Sequence, residues 1–381
     1  MKLGQIFDSH RNALNAMRLI MASEVIFCHS FVLPGHVLPP APLLQLMSDV
    51  GVDGFFALSG FLITASWLNH PRVRDYLIAR ALRILPAFYV CLVITAFVFA
   101  PIGVAIQGGP AGQLLRSSAP FDFVAANSAV FITKLDVGGT PTGIPMSGYW
   151  NGNLWTLFFE VLCYLAVAAL GIARLANRRW TSAAIVAVAT LCVPFLQLLP
   201  PTPPGAINGY QVLTRFALMF AAGAVMYQWK HVIPARWSLV AVSVIIVLAA
   251  SLLPDYRLVG ALPLAYAVVV PGALIRNKHL RLPTDLSYGF YIYGFPVQQV
   301  LVISGLINLN PFAFAVISTI ATLPLAALSW FVIEKPAMSL KSRLKKKWAT
   351  AEAGRPDAPV STATQRPLRQ TVRGSAERIP R

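Results

Sequence analysis

Met17-Arg-Leu-Ile-Met-Ala-Ser-Glu-Val-Ile-Phe-Cys-His-Ser30 lies inside the first long apolar segment of the chain, yet it carries Arg18, Glu24 and His29. Ionisable side chains are costly at membrane depth, so where they occur they mark a pathway or an active site. Arg18 and His29 stand eleven helical steps apart. At about 100° per step they return to within roughly 20° of one face, about 16 Å apart along the axis. The spacing predicts Arg18 near one interface and His29 above it near mid-membrane, with Glu24 on a different face.

Composition supports reading that stretch as a membrane helix. Of 381 residues, 56% are hydrophobic and 12% charged, and the mean hydropathy is +0.64. A soluble domain carries about twice that charged fraction. Apolar runs long enough to cross a bilayer as helices recur along nearly the whole length. They predict an all-α polytopic membrane protein with about ten transmembrane helices, at 13–34, 49–68, 84–106, 153–174, 181–199, 212–229, 237–253, 258–275, 286–307 and 312–333. Glu24, His29 and the lack of a small-x-small cleavage site before His36 separate the first of these from a signal peptide.

An even number of spans puts both termini on one side. With both termini cytoplasmic, every one of the 31 Lys and Arg except Arg116, Lys134, Arg215 and Arg257 falls inside, as the positive-inside rule requires. The net charge of +17 therefore reports topology, not nucleic-acid binding. Residues 1–340 read as one membrane-embedded domain. Residues 341–381 begin with a basic run, Lys341 to Trp348, suited to the anionic inner leaflet. They continue as a polar tail expected to be disordered. Cys28, Cys91, Cys163 and Cys192 lie at irregular spacing in apolar segments and read as buried small hydrophobes, and no metal-ligand spacing, phosphate loop or nucleophile elbow occurs.

Several segments carry chemistry. Asp53, just inside the second span, needs a partner or a task, while Ser59 and Gly60 are small enough for another helix to approach closely. Arg80 and Arg83, three residues apart, share a helix face on which two guanidinium forks can clamp one polyanion. Glu160 and Tyr164 form an i,i+4 pair that serves either a structural hydrogen bond or a site. The stretch Ser287 to Gln299 is aromatic, glycine-containing and polar at its centre, so it can break around a cavity. The long external connection, about 107–152, is placed to cap an outward cavity. Trp150 and Trp155 at its end offer either a surface for sugars or an interfacial belt.

Together these segments resemble the acyltransferase 3 family of integral membrane O-acyltransferases. The resemblance rests on Arg18-x10-His29, Gly-Val-Asp53-Gly-Phe-Phe, Arg80-x-x-Arg83 with Ile84 and Pro86, Leu154-Trp-Thr-Leu-x-x-Glu160, Leu286-Ser-Tyr and Ile333-Glu334-Lys-Pro336. It covers about residues 8–340. It implies transfer of an acyl group, commonly acetyl, from cytosolic acyl-CoA to a hydroxyl of a surface or exported glycan or its lipid-linked precursor. By the same resemblance His29 is the catalytic base, Arg18 its motif partner, and Arg80 and Arg83 bind the CoA phosphates. Asp53 or Glu160 would orient the imidazole. No metal is implied. The expected setting is a bacterial inner membrane, with membrane lipids and polysaccharide assembly machinery as further partners. Many members carry a histidine where this chain has Gly294. Two rival classes fit the hydropathy equally well: a transporter with proton coupling through His29, Glu24 and Glu160, and a non-catalytic partner of an export complex.

Overall fold

The structure, a computed structural model, describes residues 1–9, 11–197 and 208–340. His10 and the basic tail 341–381 lie outside the described residues. Among the described residues there is no strand, only two isolated bridges. Each of the ten expected segments coincides with a helix: α1 Leu14–Val32, α2 Ala41–Asn69, α3 Val73–Ile106, α4 Trp155–Ile172, α5 Trp180–Gln197, α6 Gly209–Gln228, α7 Trp237–Ala250, α8 Arg257–Leu274, α9 Ser287–Ile303 and α10 Pro311–Leu340. Six of these (α2, α3, α4, α6, α8 and α10) are long and apolar enough to cross a membrane. α5 and α7 are shorter apolar helices. α1 is interrupted by Arg18, Glu24 and His29, and α9 by Gln298 and Gln299. α5, α7 and α10 expose Val188, Leu191, Ile245, Leu248, Ile320 and Leu323 among others, an apolar surface that suits lipid rather than water.

Local chemistry sets the ends and the irregularities. Asn208 Oδ1 accepts from the amides of Tyr210 and Gln211 to start α6, and Asn310 Oδ1 accepts from the Phe312 amide to start α10, satisfying amides that have no partner within the helix. Two helices widen into single π-helical turns, Thr95–Phe99 in α3 and Trp330–Glu334 in α10. Each ends two residues before a proline, Pro101 or Pro336, which supplies no N–H to the regular pattern.

α9 is the central helix. Ser287 to Gln299 are all buried, and the helix is continuous through Pro296, so the expected break around a cavity does not occur. Its glycines are points of contact. A Cβ on Gly289 would fall 2.7 Å from Ala326 Cα of α10, and one on Gly294 would fall 3.0 Å from Ile26 Cγ1 of α1. The space at Gly294 is thus filled here by the α1–α9 packing contact.

α2 and α6 cross most closely. A Cβ on Gly60 would lie 1.9 Å from the Phe220 carbonyl oxygen, and one on Gly223 would lie 1.8 Å from that of Ala57. Beside the crossing, Phe56 and Phe216 stack with centroids 3.9 Å apart. Backbone meets backbone here, so nothing flexible can yield. Gly60→Val is therefore expected to cost about 1–3 kcal/mol or more through forced separation of the helices. A fall of several degrees in the unfolding midpoint of the detergent-purified protein checks this.

The connection 107–152 is an ordered structure over the ends of α3 and α9. It contains two short helices, Ala111–Arg116 and Ala119–Asn127. The Asn127 side chain gathers the backbone of Thr133 and Lys134. Gln299 of α9 donates to the carbonyls of Met146 and Tyr149, at 2.9 and 2.6 Å. Trp150 is fully buried, donates to Thr140 Oγ1 at 3.1 Å and packs on Gly103. It is therefore neither a belt residue nor a sugar surface, because the loop uses it as its own core. Trp155 is half-buried and packs against Phe159 and Phe216.

Candidate active site

The site is built where α1 and α9 begin, α2 ends, and the first turns of α3 and the last of α10 close in. A cavity of about 740 Å³ there is lined by Arg18, Arg80, Arg83 and Asp285 among others. A narrow inner cavity shares Arg18, Ser59, Arg83 and Tyr164 with it and extends to Phe55, Thr156 and Tyr291. The arginines come from two helices, Arg18 from α1 and Arg80 and Arg83 from α3.

The three guanidinium groups differ in what they are free to do. Arg83 is buried, with Nη2 2.5 Å from Asp285 and Nη1 3.0 Å from Glu334, and it lies over the rings of Tyr288 and Trp330. Glu334 is held in turn by the Ser329 hydroxyl at 3.0 Å, across the π turn of α10. Arg18 reaches Asp285 at 2.7 Å through Nη1, while its Nε is buried without a partner. Arg80 forms no ion pair among the described residues. Its guanidinium lies 5.9 Å from the Tyr164 ring centroid, and its Nε is likewise buried without a partner. Three cations around the outer cavity face two carboxylates, and the surplus charge belongs to Arg80.

Asp285 precedes α9 and ties this arrangement together, accepting also from the Ser287 hydroxyl at 2.5 Å and from its amide. Burial works against the charge on its carboxyl. Arg18 and Arg83, with Ser287, outweigh that and hold it below the usual carboxylate range. The Asp-x-Ser spacing just ahead of Tyr288 was a readable signal for such a helix start, but its ion-pair partners lie on other helices and have no sequence signature.

Glu160 faces the inner cavity and accepts from Tyr164 one turn later and from Ser59 of α2 at 3.2 Å. Ser59 thus turns to the cavity, while its neighbour Gly60 makes the helix crossing. Asp53 is placed elsewhere. It is fully buried on another face of α2, with Oδ1 2.7 Å from Arg215 Nε and Oδ2 2.6 Å from Arg257 Nε and 2.5 Å from the Tyr256 hydroxyl. Asp49 pairs with the same two arginines at 3.1 and 2.6 Å. Arg215 and Arg257 therefore serve as counter-ions joining α2, α6 and α8. Glu24 packs on Gly51, where a Cβ would fall on its carboxylate.

His29 falls in the last turn of α1, three residues before the helix ends at Val32. Arg18 begins the second turn of α1, so the eleven steps between them carry His29 close to the far end of the helix. The imidazole is half-buried and meets Phe295 of α9 edge-on, with centroids 5.1 Å apart. His29 does not line either arginine-bearing cavity. Tyr291 at the head of the inner cavity and Phe295 beside His29 are four residues apart on α9, about 6 Å along its axis. Neither Asp53 nor Glu160 contacts the ring, because the hydrogen bonds of both carboxylates go to the partners named above. The expectation that one of them orients the imidazole is not met. Among the described residues, no group of three or more His, Cys, Asp or Glu is arranged to hold a metal ion.

Comparison with known proteins gives this geometry a context. Residues 11–331 match a family model described as an acyltransferase domain. An O-acetyl transferase of Shigella phage Sf6 is 25% identical over 350 residues, covering 87% of this chain and 97% of that protein. Nodulation protein 10 of Rhizobium leguminosarum bv. viciae is 27% identical over 374 residues, covering 88% and 96%. No solved structure matches the chain.

Proposed function

We infer that this chain, which belongs to the acyltransferase 3 family, transfers an acetyl or similar acyl group from acyl-CoA to a hydroxyl of a surface or exported glycan, or of its lipid-linked precursor. The family makes it an acyltransferase, and its apolar helices make it a multi-pass membrane protein. The donor, the acceptor, ten crossings with both termini cytoplasmic, and a place in a bacterial inner membrane are our reading.

The observation that carries the donor assignment is the pair of arginines, Arg18 and Arg80, that line one cavity leading inward and each keep a buried Nε without a hydrogen-bond partner. Buried donors without acceptors suit an anion, and guanidinium bonds to phosphate are among the stronger polar contacts. Acyl-CoA supplies the activated thioester. Arg80, with its uncommitted charge, holds a phosphate at the mouth, and Arg18 lends its free Nε. Arg83 is already neutralised by Asp285 and Glu334 and acts by fixing the wall. Ser59, Glu160 and Tyr164 give the inner cavity its polar side. His29, one turn beyond the head of that cavity on the α9 face, accepts the proton from the acceptor hydroxyl as it attacks the thioester carbonyl; the C–S bond then breaks, and the proton passes to the departing CoA thiolate, leaving the O-acyl ester and free CoA. A neutral imidazole suits this role near physiological pH.

The two arginines of the Arg80-x-x-Arg83 motif are thereby separated in role. In a transfer assay with labelled acetyl-CoA, Arg80→Gln is expected to raise the KM for acetyl-CoA about 10- to 100-fold, the loss of one charge-assisted contact, and to leave the unfolding midpoint in place. Arg83→Gln is expected to lower the folded yield first, because it strips two buried carboxylates of their cation. An unchanged KM for Arg80→Gln would remove the phosphate assignment.

A further inference from the structure

A further cavity lies between α4, α5 and α6 and reaches Trp67 of α2, away from the arginine-lined cavities. Leu162, Ala166, Leu170, Ile185, Ala217 and Phe220 are among the apolar residues that form its body. The polar groups gathered at one end are largely used up among themselves. Ser182 donates to Gln228, Gln228 donates to the Ala176 carbonyl at 2.9 Å, and Thr181 donates to the Leu175 carbonyl at 2.7 Å.

One donor at that end is left over. Trp67 is 2% exposed, and its indole N–H is buried with no acceptor. The ring is wedged there because α4 offers Gly171, on which a Cβ would fall 2.0 Å from the indole. Among the described residues lining the cavity, Trp67 alone has a buried polar atom lacking a partner. An unmet N–H in an apolar chamber calls for a ligand that is mostly hydrocarbon but brings one acceptor oxygen.

The entrance adds a charge preference. Arg178 and Arg179 are exposed, stand one turn or less before the lining residues Thr181 and Ser182 with Trp180 between, and form no ion pair among the described residues. Arg179 is held over the rings of Trp229 and Trp180, at 5.0 and 5.9 Å, and Trp229 follows the lining residue Gln228. This fixes a guanidinium beside the polar end of the chamber, at headgroup level for a helix bundle in a bilayer.

We propose that this cavity binds one acyl chain of an anionic membrane phospholipid, with its ester carbonyl accepting from Trp67 Nε1 and its phosphate facing Arg178 and Arg179. The site is separate from the acyl-transfer chemistry and does not depend on it.

The full chain, purified in detergent and stripped of lipid, would be incubated with dioleoyl phosphatidylglycerol or dioleoyl phosphatidylethanolamine and examined by native mass spectrometry. Wild type is expected to retain one phosphatidylglycerol in preference to phosphatidylethanolamine. Ala166→Phe and Ala217→Phe, which fill the chamber, are expected to lower retention at least tenfold. Trp67→Phe, which keeps the ring and removes the N–H, is expected to weaken it, and Arg178→Gln with Arg179→Gln to erase the headgroup preference. Unfolding midpoints identify any variant that fails to fold, and Trp67→Phe keeps the test open if the filling variants do. Equal retention by folded, filled variants would overturn the proposal. So would wild type that holds only detergent, or equal binding of the two lipids.

Discussion

Cells lacking this protein and supplied with His29→Ala are expected to show no O-acyl signals on their envelope and secreted glycans, whereas wild type at matched membrane levels restores them. Removing a general base costs about 10²- to 10⁴-fold in rate, enough to take acylation below detection by NMR. The same change is expected to leave the fold intact. His29 sits in the last turn of α1, half-buried, and its ring contact is with the edge of Phe295; no ion pair depends on it. An unfolding midpoint within a few degrees of wild type, together with lost acylation, identifies a chemical role. Acylation restored equally by both would sink the mechanism. A shift in glycan export without a change in acylation would favour the transporter class.

Asp53→Ala is expected to do the opposite, destabilising the fold and not merely the chemistry. The carboxylate is fully buried and holds two guanidinium groups and a phenol from α6 and α8. Taking one partner from a buried ion pair costs about 3–5 kcal/mol, because the other charge is left uncompensated. With Asp49 to share, Arg215 and Arg257 lose part of their pairing but not all of it, which places the loss toward the lower end. A fall of about ten degrees in the midpoint is the scale to look for, with a matching loss of protein from the membrane. Asp53→Asn keeps the shape and removes the charge, so it separates packing from electrostatics. If Asp53→Ala folds normally and only the rate falls, Asp53 belongs to the site after all.

The contrast between these two residues shows what could be read from the chain. Hydropathy marked every long helix, because the requirement for some twenty apolar residues is local. Gly60 announced a close crossing for the same reason: its smallness is visible without knowing its neighbour. Partnerships between helices were not visible. Arg215 and Arg257 were counted as external charges because they sit at segment edges, and nothing in the sequence says that Asp53 and Asp49 face them. Arg80 and Arg83 looked equivalent on one helix face until Asp285 and Glu334, about 200 and 250 positions later, were found to claim only Arg83. Trp150 was read for its aromatic character, but its burial depends on how the loop folds back on Thr140 and Gly103. Local signals set the helices, and long-range pairing of buried charge decides which polar residues remain available for chemistry.

The clasp of Arg83 by Glu334 also bears on how the protein is made. Translation and insertion proceed from the N-terminus, so the third helix enters the membrane long before the last one exists. Until the π turn at Trp330–Glu334 arrives, Arg83 lacks one of its two counter-ions. A nascent chain paused before that point carries an under-compensated cation among apolar neighbours, which is costly. The π turn of α10 therefore completes the counter-ions of Arg83, so the wall of the arginine-lined entrance is finished only once the tenth helix is in place.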